Sequence, residues 1–368
     1  GMVVEREAAI ATVPASGAPL WIVETPAACP VAKARGLSLE ALGRADGRRD
    51  AFVLDVGEWN GRSTVHVVGR TESAGFSGLA RALAWVTEVG GTWYAYPLRE
   101  TVTPFFENRR IHFAQTGRIA VGTAWADTLW TDWTDERIRE AVEQLRLCGF
   151  NSLEVAESRG YRHGDTGFSD AELASGVTPK MRTAMESARA LGMDVSLFVW
   201  GQSLFVEGQN LCWNEPSERK TMEGEYARLA TTYGDLADHV IVHVGDPGGC
   251  DRNGCDAYRT TQEIATAILG AFRAVNPKVT ATLSTWSNFG FWRGGRDAGF
   301  LEEGYSPREM GIALHRWYDG DKAALVRGAG RAVDVWGWYL SDYEMELDMT
   351  FAGRTLDRYF RSLPEAAS

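Results

Sequence analysis

The sequence predicts an α/β protein, a TIM-like (β/α) barrel preceded by a small α+β domain. Three observations carry this. Past residue 104, apolar strand-like runs alternate with amphipathic helix-like runs at a repeat of roughly 40 residues, the rhythm of a parallel sheet with crossover helices. The strand runs are almost continuously aliphatic or aromatic, as strands covered on both faces are. Residues 1–104 lack that rhythm and gather several short strands around one helical run. The boundaries expected are therefore 1–104 for the small domain and 105–368 for the barrel domain.

In the first domain, "LWIVE", "AFVLDV" and "STVHVVG" alternate as strands do. The helix-like run "SGLARALAWVTEVGG" puts Leu79, Leu83 and Val86 on one face, and "TWYAYPL" returns to a strand. After Pro104, "RRIHFA" begins the barrel. Thr134 is placed to cap the next helix, with Asp135 and Glu136 in its first turn and Ile138, Val142, Leu145 and Cys148 along the face to be buried. Gly149 closes it. The unit then recurs through strand "NSLEVAES", helix "PKMRTAMESARALGM", strand "DVSLFVWG", helix "SERKTMEGEYARLATTYGDLA", strand "HVIVHVG", helix "RTTQEIATAILGAFRAVNP" and strand "KVTATLSTW". Two further strands, "GIALHRW" and "VDVWGWYL", flank "KAALVRGAGRA", and a helix-like run "TLDRYFRSLPE" follows. Seven barrel strands are visible. An eighth is absent, or lies near "RIAVGTAW", or falls beyond the end of the sequence.

Composition narrows the function classes. The 368 residues are 45% hydrophobic and carry a net charge of −11 with a pI near 5.2. With no stripe of Lys and Arg, nucleic acid is not expected as a partner. No apolar run reaches the roughly 20 residues of a membrane span, and "GMVVEREAAIATVPASG" has acids where a signal peptide has basic residues and an apolar core. Five cysteines without a CxxC pair suit a reducing, cytoplasmic setting. Fourteen Trp exceed what a core needs. Trp stacks on the apolar face of a sugar ring while its indole N–H donates a hydrogen bond, so a carbohydrate ligand is expected.

In barrel enzymes the chemistry sits where strands end and βα loops begin. Those positions are rich in acids and aromatics here. They hold Glu154 and Glu157 before "SRGYRHGD", Trp200, Gly201 and Gln202, then His243 and Asp246, then Trp286 and Asn288. The last two strands end in His315, Trp317, Tyr318 and Asp319, and in Trp336, Trp338, Tyr339, Asp342 and Glu344. A pocket walled by Trp and floored by carboxylates suits cleavage of a glycosidic bond, where rings bind the sugar and two acids flank the bond. Each residue also has a plainer reading. Asp246 before Pro-Gly-Gly can simply start a turn, and a lone strand histidine is more often a hydrogen-bonded core residue than a catalyst. Trp336 and Trp338 share a strand face and can belong to the core. "LSDYEMELD" can be the solvated start of a helix.

The residues that could ligate a metal have plain readings too. Asp246, Asp251, Asn253 and Asp256 are spaced loosely like a calcium loop but lack its closing Glu. Cys250 and Cys255 with His243 offer zinc three ligands and show no fourth. A Cys250–Cys255 disulfide is disfavoured in a reducing compartment. No metal and no cofactor is expected.

The helix "GFSGLARALAWV" (Gly75 to Leu83 at its centre), the entry "TVTPFFENRRIHF" with Pro104, Phe106 and Arg109, and the barrel that follows resemble the β-N-acetylhexosaminidases and α-glucuronidases. The resemblance covers most of the chain in the order and spacing of its parts. Hexosaminidases end the fourth strand in H-x-G-G-D-E. Here "HVGDPGG" keeps His243, Gly245 and an acid and lacks the Glu, and "GDPGGC" is similar to the α-glucuronidase Ser-Glu-Gly-x-Pro-Gly-Pro loop with Asp246 where the Glu stands. The resemblance implies a glycoside hydrolase of amino sugar or uronic acid glycosides, with Asp246 as general acid held protonated by burial. Asp342 or Glu344 is the expected base or nucleophile, with Asp319 the alternative. Arg162 and Arg316 can pair with a sugar carboxylate, or simply make salt bridges. Two other readings stay open: a carbohydrate-binding protein on a degenerate barrel, and a metal-dependent barrel isomerase or lyase.

Overall fold

The computed structural model describes residues 19–44, 49–90, 92–104, 108–115, 133–157, 171, 174, 177–202, 211–244, 250, 252–255, 257–284, 307–315 and 320–336. The chain divides into two compact units, one of residues 1–111, 136–153 and 186–193, the other of 112–135, 154–185 and 194–368. Among the described residues, no helix is long and apolar enough to cross a membrane.

The first unit is organised on a four-stranded sheet in the order β1-β3-β2-β6, formed by β1 (Leu20–Glu24), β2 (Phe52–Trp59), β3 (Arg62–Gly69) and β6 (Leu98–Val102). Strands β2 and β3 form a hairpin turned by Asn60 and Gly61, both at positive φ. That is the dipeptide a two-residue type I′ turn favours. Two short helices, α1 (Pro30–Ala34) and α2 (Glu40–Arg44), follow β1. The Glu24 carboxylate accepts the backbone N–H of Val31 and Ala32 at 2.9 Å each, and lies 2.7 Å from His66 Nε2. Asp55 is held between Arg35 and Arg99.

Helix α3 (Glu72–Leu83) corrects the sequence reading twice. It ends at Leu83, and Val86 belongs to β4 (Val86–Val89), which pairs with β5 (Thr92–Ala95). Its buried face is Ala74, Gly75, Ser77, Gly78 and Ala82, while Leu83 is exposed and Leu79 only half-buried. Close approach to the sheet selects the small residues. A Cβ on Gly78 would lie 2.2 Å from Val67 Cγ1, and one on Gly75 2.7 Å from Val23 Cγ1. "TWYAYPL" is likewise not one strand. It breaks at Tyr96 and Pro97, where proline removes a donor, so β5 stays with β4 and β6 joins β2.

A buried polar cluster in this unit explains Arg109. Its guanidinium donates to Asp50 at 2.5 Å and to the Gly149 carbonyl at 2.8 Å, and its backbone N–H donates to Asn151 Oδ1 at 2.7 Å. Asn151 returns to Asp50 at 2.9 Å. Arg146, only 1% exposed, donates to the Ser73 and Ser77 hydroxyls at 3.0 and 3.1 Å and to the Phe150 carbonyl at 3.3 Å. Burial lowers its pKa. Arg146 sits on α4 (Asp135–Leu147) beside the expected core residues Ile138 and Val142. Cys148, expected on that buried face, is exposed, because the helix has ended and Gly149 turns the chain at φ +95°.

The seven predicted barrel strands form one sheet: β7 (Arg110–Gln115), β8 (Ser152–Ala156), β9 (Asp194–Trp200), β10 (His239–His243), β11 (Thr280–Ser284), β12 (Gly311–His315) and β13 (Val333–Trp336). Their order in the sheet is their order in the chain. The pairs from β9 to β13 are all parallel. Between them run α5 (Thr178–Ala190), α6 (Pro216–Tyr233), α7 (Ala257–Val275) and α8 (Gly320–Gly328). This is the curled parallel sheet and helix alternation of a TIM-like barrel. The segment "RIAVGTAW", one place considered for an eighth strand, and "TLDRYFRSLPE" lie outside the described residues.

Candidate functional site

Alternation along the strands separates two faces. Val195, Leu197 and Val199 of β9, Val240 and Val242 of β10, and Ala281 and Leu283 of β11 are aliphatic and buried. The opposite face carries Ser196, Phe198 and Trp200, then His239, Ile241 and His243, then Thr280, Thr282 and Ser284. Helices cover the outside of a βα barrel, so the polar and aromatic face is the inner one. Glu154, almost fully buried, alternates with the aliphatic Leu153 and Val155 of β8 and takes that same face.

Toward the C-terminal ends of the strands the inner face becomes aromatic. Trp200 packs edge-on against His243 with ring centroids 4.7 Å apart, and Phe198 lies 5.3 Å from Trp200 and 5.2 Å from His243. His243 Nδ1 is 3.1 Å from Ser284 Oγ. Burial pushes the His243 pKa down to about 3, so its imidazole is neutral at any ordinary pH. It can orient a ligand by hydrogen bonding and offers no positive charge. Lower in the barrel His239 lies 2.7 Å from Thr280 Oγ1 and 3.0 Å from Thr282 Oγ1, and Thr282 donates to Asp334 at 3.1 Å.

Beyond β9 the backbone stays paired, with Gly201 N donating to His243 O at 2.7 Å and Gln202 N to Val244 O at 2.5 Å. Glycine is required at position 201. A Cβ there would come within 2.8 Å of the Val244 carbonyl and 2.9 Å of Ile264. Gln202 then bridges two rim segments, donating from Nε2 to the Leu211 carbonyl at 3.0 Å and accepting the Cys250 N–H at 3.3 Å. The thiols of Cys212, Cys250 and Cys255 meet beside it. Burial pushes the Cys250 thiol up to about 11. At Cys212 burial acts in the same direction, but hydrogen bonds from the other two thiols and from backbone outweigh it and lower its pKa.

The predicted site residues are distributed unevenly. Trp200 and His243 are brought together on the inner face, and Glu154 is buried on β8 on that same face. Glu157 is not among them. Its carboxylate is taken by Arg228, by the Tyr233 hydroxyl, and by Thr178 Oγ1 at 3.3 Å, a connection to α5 and α6. Burial, then the charge of Glu157, raises the Tyr233 pKa. The backbones of His315 and Trp336 are register neighbours on β12 and β13. Asp246, Arg162, Trp286, Asn288, Trp317, Asp319, Trp338, Tyr339, Asp342 and Glu344 lie outside the described residues, as do Arg316, Asp251 and Asp256. Sequence reasoning missed Cys212 as a partner of Cys250 and Cys255, and Ser284 as the partner of His243.

No family model matches this chain, and no curated protein matches it. Solved structures do. An exo-β-N-acetylglucosaminidase of glycoside hydrolase family 20 from Vibrio harveyi superposes with a TM-score of 0.58 at 10% identity, over 88% of this chain and 58% of that one. A second family 20 β-N-acetylglucosaminidase gives 0.53 at 13% identity over 91% and 76%, and the Flavobacterium johnsoniae chitobiase 0.53 at 10% over 79% and 46%. The chain thus spans a little over half the length of the Vibrio enzyme. At these identities the likeness is one of fold, and it agrees with the barrel read from the sequence.

Proposed function

We propose that this chain is a glycoside hydrolase acting on an amino sugar or uronic acid glycoside. The observation that carries the reading is the packing of Trp200 against neutral His243 on the inner face, three residues before Asp246 in the chain, with Glu154 buried on the same face. The fold shared with β-N-acetylglucosaminidases supports it. In this reading Trp200 and the rim tryptophans hold the sugar ring and His243 fixes a hydroxyl or amide as a neutral partner. Asp246 protonates the leaving oxygen. Asp342 or Glu344, or else Asp319, acts from the other side of the bond, as nucleophile if the two carboxyls stand about 5–5.5 Å apart and as base if they stand about 6.5–9.5 Å apart.

Turnover of Asp246→Asn against wild type tests this, on nitrophenyl and on methyl N-acetylglucosaminides and glucuronides. The amide keeps the shape of the side chain and loses the transferable proton. General acid assistance contributes about 10²–10⁴-fold, so kcat on the methyl glycoside falls by that order while the nitrophenyl glycoside, with its good leaving group, is spared. Wild-type turnover of the methyl glycoside by the variant excludes Asp246 as the acid. Sugar binding without turnover by the wild-type chain favours the carbohydrate-binding alternative.

A further inference from the structure

Three cysteines that are distant in the chain converge in the second unit. The sulfurs of Cys212, Cys250 and Cys255 all lie within 4.8 Å of one another, with Cys212 and Cys255 3.6 Å apart, and all three are free thiols. Zinc binds sulfur at about 2.3 Å, and a tetrahedral arrangement sets sulfur to sulfur distances near 3.8 Å. The three side chains are therefore within about an ångström of a ligand set by the same geometry.

The backbone around them is built to hold that arrangement. Residues Arg252 to Cys255 form a type I′ turn, with Asn253 and Gly254 at φ +52° and +67° and the Cys255 N–H donating to Arg252 O at 3.0 Å. This turns Cys255 back toward Cys212. The Arg252 N–H donates to Cys250 Sγ at 3.3 Å, the type of bond that supports thiolate ligands in metal sites. On the facing segment the Cys212 N–H is held by Glu218, which also pairs with Arg252 at 2.7 Å, and Asn214 donates to the Asn253 carbonyl at 3.1 Å. The other two cysteines show what cysteine does elsewhere in this chain. Cys29 packs singly as a small apolar residue among Ala32, Leu37, Leu42 and Val53, and Cys148 is exposed.

We propose that Cys212, Cys250 and Cys255 form a zinc site that ties the segment after β10 to the segment leading into α6. Binding takes Zn²⁺ and one water, releases the three thiol protons and leaves a zinc tris-thiolate aqua centre of net charge −1, with the guanidinium of Arg252 on the segment it closes. The cation cross-links residues 211–218 to residues 250–255, which begin four residues after Asp246. The proposal does not depend on the hydrolase reading.

The test uses the reduced full chain stripped with a chelator. Titration with Co²⁺ is expected to give one equivalent per chain with thiolate-to-cobalt charge-transfer bands, displaced by Zn²⁺. Cys212→Ser and Cys255→Ser each weaken binding at least tenfold, while Cys29→Ser and Cys148→Ser leave it unchanged. A measurement on the wild-type chain alone removes any question of variant folding: Zn²⁺ protects three thiols from iodoacetamide, and chelator exposes them. The proposal is overturned if zinc leaves the alkylation pattern unchanged or if Cys212→Ser binds Co²⁺ as wild type does. It is equally overturned if a Cys212–Cys255 disulfide forms in the presence of zinc, which makes the cluster a redox pair.

Discussion

In the small unit Asp50 is buried against Arg109 and Asn151, close to buried Arg146, whereas on β10 and β11 of the barrel's inner face His243, Ser284 and Thr282 are buried as neutral groups. Buried charge must be compensated in place, so the first region is locked by the mutual dependence of its members. Neutral polar groups need only hydrogen bonds and can exchange one partner for another. The first region is held by charge that must be matched in place, the second by hydrogen bonds between neutral groups.

The most direct way to break the first region is Asp50→Ala. It leaves Arg109 without its carboxylate beside buried Arg146, and the small unit is expected to lose about 3–5 kcal/mol, read from the denaturant midpoint. An equal loss from Asp50→Asn would point to the charge rather than the hydrogen bonds as the origin. Next in size is Gly78→Ala. Its new Cβ meets Val67 at 2.2 Å and Phe52 at 3.1 Å, so overpacking costs about 1–3 kcal/mol even though alanine is the better helix former.

The barrel side is tested by pH. His243 has a folded pKa of about 3, below the ordinary 6.5, so the unfolded chain binds its proton first as pH falls. Its contribution to stability is complete above pH 6.5 and is lost between there and pH 3, with a slope of up to about 1.4 kcal/mol per pH unit. His243→Gln is expected to flatten that part of the stability profile, measured as the difference from wild type in chemical denaturation. An unchanged profile means that His243 is not the buried titrating group. The smallest effect belongs to an exposed pair. Arg81 and Glu100 meet at 2.8 Å on the surface of the small unit, and Glu100→Ala should cost well under about 1 kcal/mol and less still in high salt.

The barrel was legible because its strands announce themselves twice, by aliphatic continuity and by the regular helices between them. Helix α3 departs from the expected face because large apolar side chains usually mark a buried face, while the sheet beneath it admits only small residues, with glycine at 75 and 78. The same expectation placed Cys148 inside and overlooked Arg146, whose burial depends on carbonyls and hydroxyls supplied by other segments. Near the strand ends Glu154, Trp200 and His243 were legible as inner-face positions, since period two and strand length suffice to place them. The strand ends also offered Glu157, whose removal to Arg228 and Tyr233 is a tertiary event with no local signature. Cys212 was invisible for that reason too. Yet the Asn253-Gly254 dipeptide, the favoured type I′ turn, was a local sign that Cys255 doubles back.

The order of the barrel strands has a consequence for synthesis. Since β7 to β13 are laid side by side in the order in which they are made, each new strand has its preceding neighbour already synthesised when it emerges. Successive docking steps close loops of comparable length, and loop entropy changes by only about 0.6 kcal/mol per doubling, so no step stands out as an entropic bottleneck. The growing edge is the exception. Until its successor emerges, the newest strand presents unpaired backbone groups, and a pause in translation just after β10 would leave its edge open for as long as the pause lasts.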